Sequence, residues 1–184
     1  MPRFFTSDTH FGDTRILRSA KRPFRSIAAH DAHIIQQWKA TVGPDDEIWH
    51  LGDVAPGYDA AAVGALLSEL PGRKHLITGN NDDAATRTHP LWASVHDYHE
   101  LVEDDSFCIL CHYALRTWNK IGKGALDLHG HSHNMLKPLS RQYDVGVDAW
   151  DFTPVTLDAM RNGRRRWITE QRKREPLTDP STEK

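Results

Sequence analysis

Glu47-Ile48-Trp49-His50-Leu51-Gly52-Asp53 and Lys74-His75-Leu76-Ile77-Thr78-Gly79-Asn80 repeat one device: a strand pattern that stops at glycine, then at an oxygen-bearing side chain. Between them, Asp59 is placed to cap a helix whose core face is Val63, Leu66, Leu67 and Leu70, and Pro71-Gly72 stops it. Upstream, Ile27, Ile34, Ile35 and Trp38 fall at i, i+7, i+8 and i+11, a helical stripe over residues 27–39 that ends before the turn Gly43-Pro44-Asp45-Asp46. Residues 3–7 form a first short buried strand that runs into Asp8. The order βαβαβ is that of a parallel sheet covered by helices.

The second half changes character. Residues 95–102 and 106–112 read as a hairpin around Glu103-Asp104-Asp105, with further strands near 125–129 and 142–148. No helical pattern occurs between 95 and 150, so a more antiparallel sheet is expected there. Thr153 to Asn162, closed by Gly163, reads as a last helix, and Arg164-Arg165-Arg166-Trp167-Ile168 as an edge strand. Beyond it the chain is charged, with Pro176 and Pro180, so residues 1–169 are expected to form one domain and 170–184 a flexible tail. The expected architecture is α/β: a four-layer αββα sandwich of two mixed sheets flanked by helices.

Composition narrows the function classes. The 184 residues are 39% hydrophobic and 26% charged, with a net charge of −2, so no global field draws the chain to nucleic acid or to an anionic membrane. No stable nucleic-acid partner and no membrane partner are expected. No apolar run reaches the length of a membrane span, and Met1-Pro2-Arg3-Phe4-Phe5 lacks a signal peptide's apolar stretch. Cys108 and Cys111 lie three apart on one strand, hence on opposite faces, which argues against a mutual disulfide and for a reducing, cytoplasmic location.

Metal-ligand residue types stand where strand patterns end. Asp8 and His10 are two apart and share a side of an extended backbone; His131 and His133 repeat that spacing after Gly130. Asp53 follows Gly52, Asn80 follows Gly79, and His112 ends its own strand. A carboxylate with two oxygens can bridge two cations, and a neutral amide oxygen suits a metal whose other ligands already carry charge. Each segment alone is also what a turn Asp or a surface His looks like. Five in this order are harder to assign that way.

The order resembles that of the calcineurin-like metallophosphoesterase family: D-x-H, G-D, G-N-H-D or G-N-H-E, a lone His, then G-H-x-H. The likeness spans roughly residues 3 to 150, and Ser7-Asp8-Thr9-His10-Phe11-Gly12, Leu51-Gly52-Asp53 and Leu128-His129-Gly130-His131-Ser132-His133 are close to family form. The resemblance implies one divalent metal held by Asp8, His10, Asp53 and His133. It implies a second held by Asp53, Asn80, His112 and His131, with Asp53 bridging. Manganese suits this O/N set best, with iron, nickel or zinc as other fits. The implied reaction is attack on phosphorus by a metal-bridged hydroxide in a small phosphate ester, a nucleotide among them. Asp53, Asn80, Asn81 and His112 are the catalytic candidates.

One residue departs from the pattern. Gly79-Asn80-Asn81-Asp82 has Asn81 where the family has histidine. Asn81 can donate an N–H to substrate, yet it gives up no proton near neutral pH, a deficit of ~10²–10⁴ in rate for a poor leaving group. Phosphodiesters, including strained cyclic nucleotides, are therefore favoured over alkyl monoesters. A broad phosphomonoesterase or protein phosphatase is one alternative, and a metal-bound binding scaffold with little catalysis is another. Arg116 and Trp118 follow His112 in a loop that could grip phosphate and stack on a base. Asp82 is expected to orient a neighbouring ligand, and Arg22-Pro23-Phe24-Arg25 reads as a solvated charge run.

Overall fold

The computed structural model describes residues 2–137 and 139–163. Its elements in chain order are β1 (Arg3–Thr6), α1 (Ile16–Ser19), α2 (Ile27–Thr41), β2 (Glu47–His50), α3 (Ala60–Glu69), β3 (Arg73–Ile77), α4 (Ala84–Arg87) and β4 (Ser94–His96). There follow β5 (Tyr98–Glu103), β6 (Ser106–Cys111), β7 (Leu126–His129) and β8 (Gln142–Asp144), with 3₁₀ turns at Ile121–Lys123 and Val147–Ala149. Residues 157–163 are helical, so Gly163 lies inside that helix. The edge strand at 164–168 and the tail at 170–184 fall outside the described residues.

Two four-stranded sheets, ordered β1-β2-β3-β4 and β5-β6-β7-β8, stack face to face. The first is parallel throughout, joined by an antiparallel bridge from Phe5 to Val155; the second is mixed. Alternation along the strands assigns the faces. Phe4, Ile48 and Leu76 pack outward on Ile34 and Trp38 of α2 and on Val63, Leu66 and Leu67 of α3. Phe5, Trp49 and Ile77 point the other way and meet Cys108, Leu110, Leu126 and Leu128 of the second sheet. Asp59 caps α3, accepting from Ala62 N at 2.8 Å, and Ser26 caps α2. The outer face of the second sheet is covered by the segment after β6, where Trp118 packs on Ile109 and Ala125.

Two details differ from the sequence reading. The strand expected over 95–102 serves both sheets: β4 adds parallel to β3, the chain bends at Asp97, and β5 pairs antiparallel with β6. Apolar alternation is the same on either side of such a bend and does not mark it. The second sheet is also less antiparallel than expected, because β6–β7 and β7–β8 pair in parallel. Among the described residues, segments 112–125 and 130–141 make those crossovers without an α-helix, so the absence of a helical pattern did not imply hairpins. The β5–β6 turn falls at Asp104 and Asp105, both at positive φ (46° and 59°), the conformation that matches hairpin twist.

Candidate metal centre

Every candidate ligand follows the carboxyl end of a strand. Asp8 and His10 follow β1, Asp53 follows β2, Asn80 follows β3, His112 follows β6, and His131 and His133 follow β7. In a parallel sheet those ends share one edge, where α/β proteins bind ligands. Beyond the strand ends the chain keeps pairing: Asp8 N donates to Gly52 O (2.9 Å) and His10 N to Asp53 O (3.0 Å). The two sheets are joined there, with Val147 N donating to Ser7 O at 3.0 Å and His131 N to the Asp8 carboxylate at 2.8 Å.

Glycine is required where backbone and ligand crowd together. Gly52 sits at φ 91°, and a Cβ on Gly79 would overlap Asp53. The ligand residues themselves adopt left-handed backbone: Asp8 (58°), His10 (51°), Asp53 (59°), His131 (65°) and His133 (47°). Non-glycine residues rarely take this conformation, and it clusters at functional sites where surrounding contacts enforce it.

The side chains gather into two groups. Asp8, His10 and His133 place ligand atoms within 4.8 Å of one another, and so do Asp53, His112 and His131. Asp53 Oδ2 lies between them, 3.4 Å from His10 Nε2 and 3.6 Å from His112 Nε2. Asn80 Oδ1 is 3.1 Å from His112 Nε2. Thus all seven ligand candidates stand at one site. Asp8, His10, Asp53 and His112 are buried, while Asn80 and His131 are exposed, so the site opens to solvent on the second group's side.

Three histidines are oriented in the same way. Nδ1 of His10 faces Asp13 (3.3 Å), Nδ1 of His112 faces Leu51 O (2.7 Å), and Nδ1 of His133 faces Asp148 (2.8 Å). An acceptor on Nδ1 puts the proton there and leaves the Nε2 lone pair for the site. Asp8 Oδ1 and His10 Nε2 are buried with no hydrogen-bond partner. Buried polar atoms left so are costly, and two that converge with further O and N donors fit a divalent cation.

Electrostatics match this geometry. Burial pushes the Asp53 carboxyl up, but the nearby rings of His10 and His112 and two N–H groups of Asn81 outweigh it, so Asp53 stays well below the usual carboxylate range. For Asp8, burial dominates over His112 and His133 and raises its pKa. Burial likewise pushes Asp148 up, yet His133 and Arg22 bring it down to about 2.

No family model matches the chain. The chain is similar to the gene 66 protein of Mycobacterium phage D29, with 31% identity over 188 residues that cover 83% of this chain and 91% of that protein. It is 30% identical to the gene 66 protein of Mycobacterium phage L5 over 185 residues, 80% of this chain and 86% of that one. The chain belongs to this gene 66 family. A crystal structure of a protein of unknown function from Aquifex aeolicus shares the fold, with a TM-score of 0.68 at 20% identity over 92% of this chain and 98% of that one. The stacked sheets and the order of ligand segments in this gene 66 family member are in keeping with the resemblance to calcineurin-like metallophosphoesterases drawn from the sequence.

The remaining candidates separate. Asn81 does not point its amide into open space: N donates to Asp53 Oδ1 (2.8 Å) and Nδ2 to Asp53 Oδ2 (2.7 Å). Arg116 is exposed on the loop after His112. Trp118, read above as a base-stacking residue, is instead packed in the core and donates to Ala125 O at 3.0 Å. Arg22, read as part of a solvated run, is buried and paired with Asp148. Asp82 accepts from Asp53 N (3.0 Å), Val54 N (2.8 Å) and Gly79 N (2.8 Å), as expected of a residue that orients a ligand. His75, His96 and His99 gather around Trp49 between the sheets, apart from both ligand groups. Sequence reasoning missed Asp13 and Asp148. Asp13 stands three residues from His10 and could have been found by that spacing; Asp148 carries no local signal.

Proposed function

We propose that the chain is a dinuclear metal-dependent phosphohydrolase that favours phosphodiesters, cyclic nucleotides among them. The observation that carries this reading is the convergence of two unpartnered buried atoms, Asp8 Oδ1 and His10 Nε2, on a site with a second ligand group and Asp53 Oδ2 between the two. Asp8, His10, Asp53 and His133 would hold one divalent cation, and Asp53, Asn80, His112 and His131 the other. Bound there, such a pair, most simply manganese, supplies Lewis-acid polarisation of a phosphoryl oxygen and lowers the pKa of an attacking water.

The chain's own residues do the rest. His10 and His112 keep Asp53 ionised together with Asn81, which holds both its oxygens. Asn81 therefore acts as a clamp on the bridging carboxylate and gives no proton to a departing alkoxide. Departure then depends on the leaving group's own low pKa or on ring strain, which disfavours alkyl monoesters. Exposed Tyr113, its ring 4.8 Å from that of His131, borders the open side, where a substrate would enter, and exposed Arg116 follows three residues further along the chain. Cys108 and Cys111 are free thiols, which fits a cytoplasmic location, and no helix among the described residues is long and apolar enough to cross a membrane.

The test is manganese-dependent hydrolysis of bis-p-nitrophenyl phosphate, a 2′,3′-cyclic nucleotide and an alkyl monoester by the purified chain. Turnover of the diesters that disappears in Asp53→Asn is the expected result. A faster alkyl monoester reaction would overturn the diester preference, and metal-independent turnover would overturn the whole reading.

A further inference from the structure

The guanidinium of Arg22 is enclosed, its side chain 0% exposed, and it lies at the crossing of a hydrogen-bonded chain that the proposed reaction does not require. Its Nε and Nη2 fork onto Asp148 at 2.9 and 2.7 Å. Nη2 also donates to Asp8 O (2.6 Å) and Nη1 to Thr9 O (3.1 Å). A buried ion pair is weak evidence for stability, since apolar residues of similar volume often serve a core as well or better. What the pair holds is a better guide to its role.

Arg22 has only donors, so it sets the direction of every bond around it. His30 Nε2, 2.8 Å from Nη1, must accept; its Nδ1–H then donates to Asp31 (2.7 Å), and Asp31 in turn takes Gly12 N and the Tyr58 hydroxyl. On the other side, Asp148 receives the Nδ1–H of His133 at 2.8 Å, leaving His133 Nε2 facing Asp8 Oδ1 at 3.9 Å. The carbonyls that Arg22 grips belong to Asp8 and Thr9, in the segment where Asp8 and His10 are held at positive φ. Arg22 therefore fixes all three residues of the first group: Asp8 directly, His10 through the Thr9 carbonyl and His133 through Asp148. Among the described residues, its hydrogen bonds reach none of Asp53, His112 and His131.

We infer that Arg22, acting with Asp148, is the positioning residue of the Asp8–His10–His133 site, and that its fork sets the cation affinity of that site and not of the other. The inference rests on reading the two groups as cation sites. Outer partners of metal ligands are typically worth ~10–100-fold in affinity, and that is the expected loss at one of two sites. Lysine keeps the charge and loses the fork, so Arg22→Lys should fail nearly as badly as Arg22→Gln.

The experiment is calorimetric titration of the chelator-stripped full chain with manganese chloride, together with the electron paramagnetic resonance spectrum of the bound ion. Wild type should take two ions that couple magnetically. Arg22→Lys and Asp148→Asn should each keep one site at wild-type affinity, weaken the other ~10–100-fold, and show the spectrum of an isolated ion at one equivalent. The double variant should lose no more than the worse single one, because both act through one fork. The intact second site is the internal control for folding. Two sites weakened together, or neither weakened, would overturn the role of Arg22 while leaving the dinuclear reading in place. A wild type that binds fewer than two ions would overturn both.

Discussion

Asp82 touches no proposed cation, yet its removal should damage the site and the fold together. Its Oδ1 accepts from Val54 N, and its Oδ2 from Asp53 N and Gly79 N, all at 2.8–3.0 Å and all buried. In Asp82→Asn, an amide oxygen in the place of Oδ2 keeps two of these bonds, and the amide nitrogen then faces the Val54 N–H, donor against donor. One lost charge-assisted bond and one stranded donor amount to about 2 kcal/mol. Asp82→Ala strands all three donors, and about 4 kcal/mol is expected, the sum being reduced by whatever water enters. Urea unfolding of the metal-stripped chain, followed by circular dichroism, should rank wild type above Asn above Ala. Because two of the three donors belong to the turn that presents Asp53, manganese affinity should fall in the same order. If Asp82→Asn unfolds at the wild-type midpoint and binds manganese as tightly, the three bonds do not hold that turn.

Three further outcomes are expected. His50 is fully buried, and burial holds its pKa at about 3; since an unfolded histidine titrates near 6.5, stability is full above that pH and declines as pH falls from 6.5 toward 3. At about 1.4 kcal/mol per pH unit, the metal-free chain should lose ~2–3 kcal/mol between pH 6.5 and 4.5 on this account, and His50→Gln should flatten the slope by that amount. An unchanged slope in the variant would refute it. Gly79→Ala puts a methyl into Asp53, whereas Gly64→Ala on α3 meets only the end of the His89 side chain; manganese titration should show a loss of tenfold or more for the first, on the order seen when ligand geometry is disturbed, and little for the second. Trp118→Ala should cost ~3–5 kcal/mol in urea unfolding, with KM for a diester unchanged. A raised KM without loss of stability would restore Trp118 to the substrate.

Much of this protein was written in short-range pattern. Strands that stop at glycine, Asp59 before an apolar helical stripe and the recurrent two-residue spacing of ligands are local features, because backbone period and capping act within a few residues. They sufficed for the sandwich and for the seven residues around the site. The bend at Asp97, which hands one strand to two sheets, and the parallel pairing of β6, β7 and β8 were decided by packing between segments far apart in the chain. So were the burial of Trp118 and the clamp that Asn81 places on Asp53. Arg22 shows the reason most plainly. Within Arg22-Pro23-Phe24-Arg25 it reads like its exposed neighbour Arg25, and only the fold brings Asp148, 126 residues away, to share its charge. A charge's partner is a matter of distance in space, and sequence records only distance along the chain.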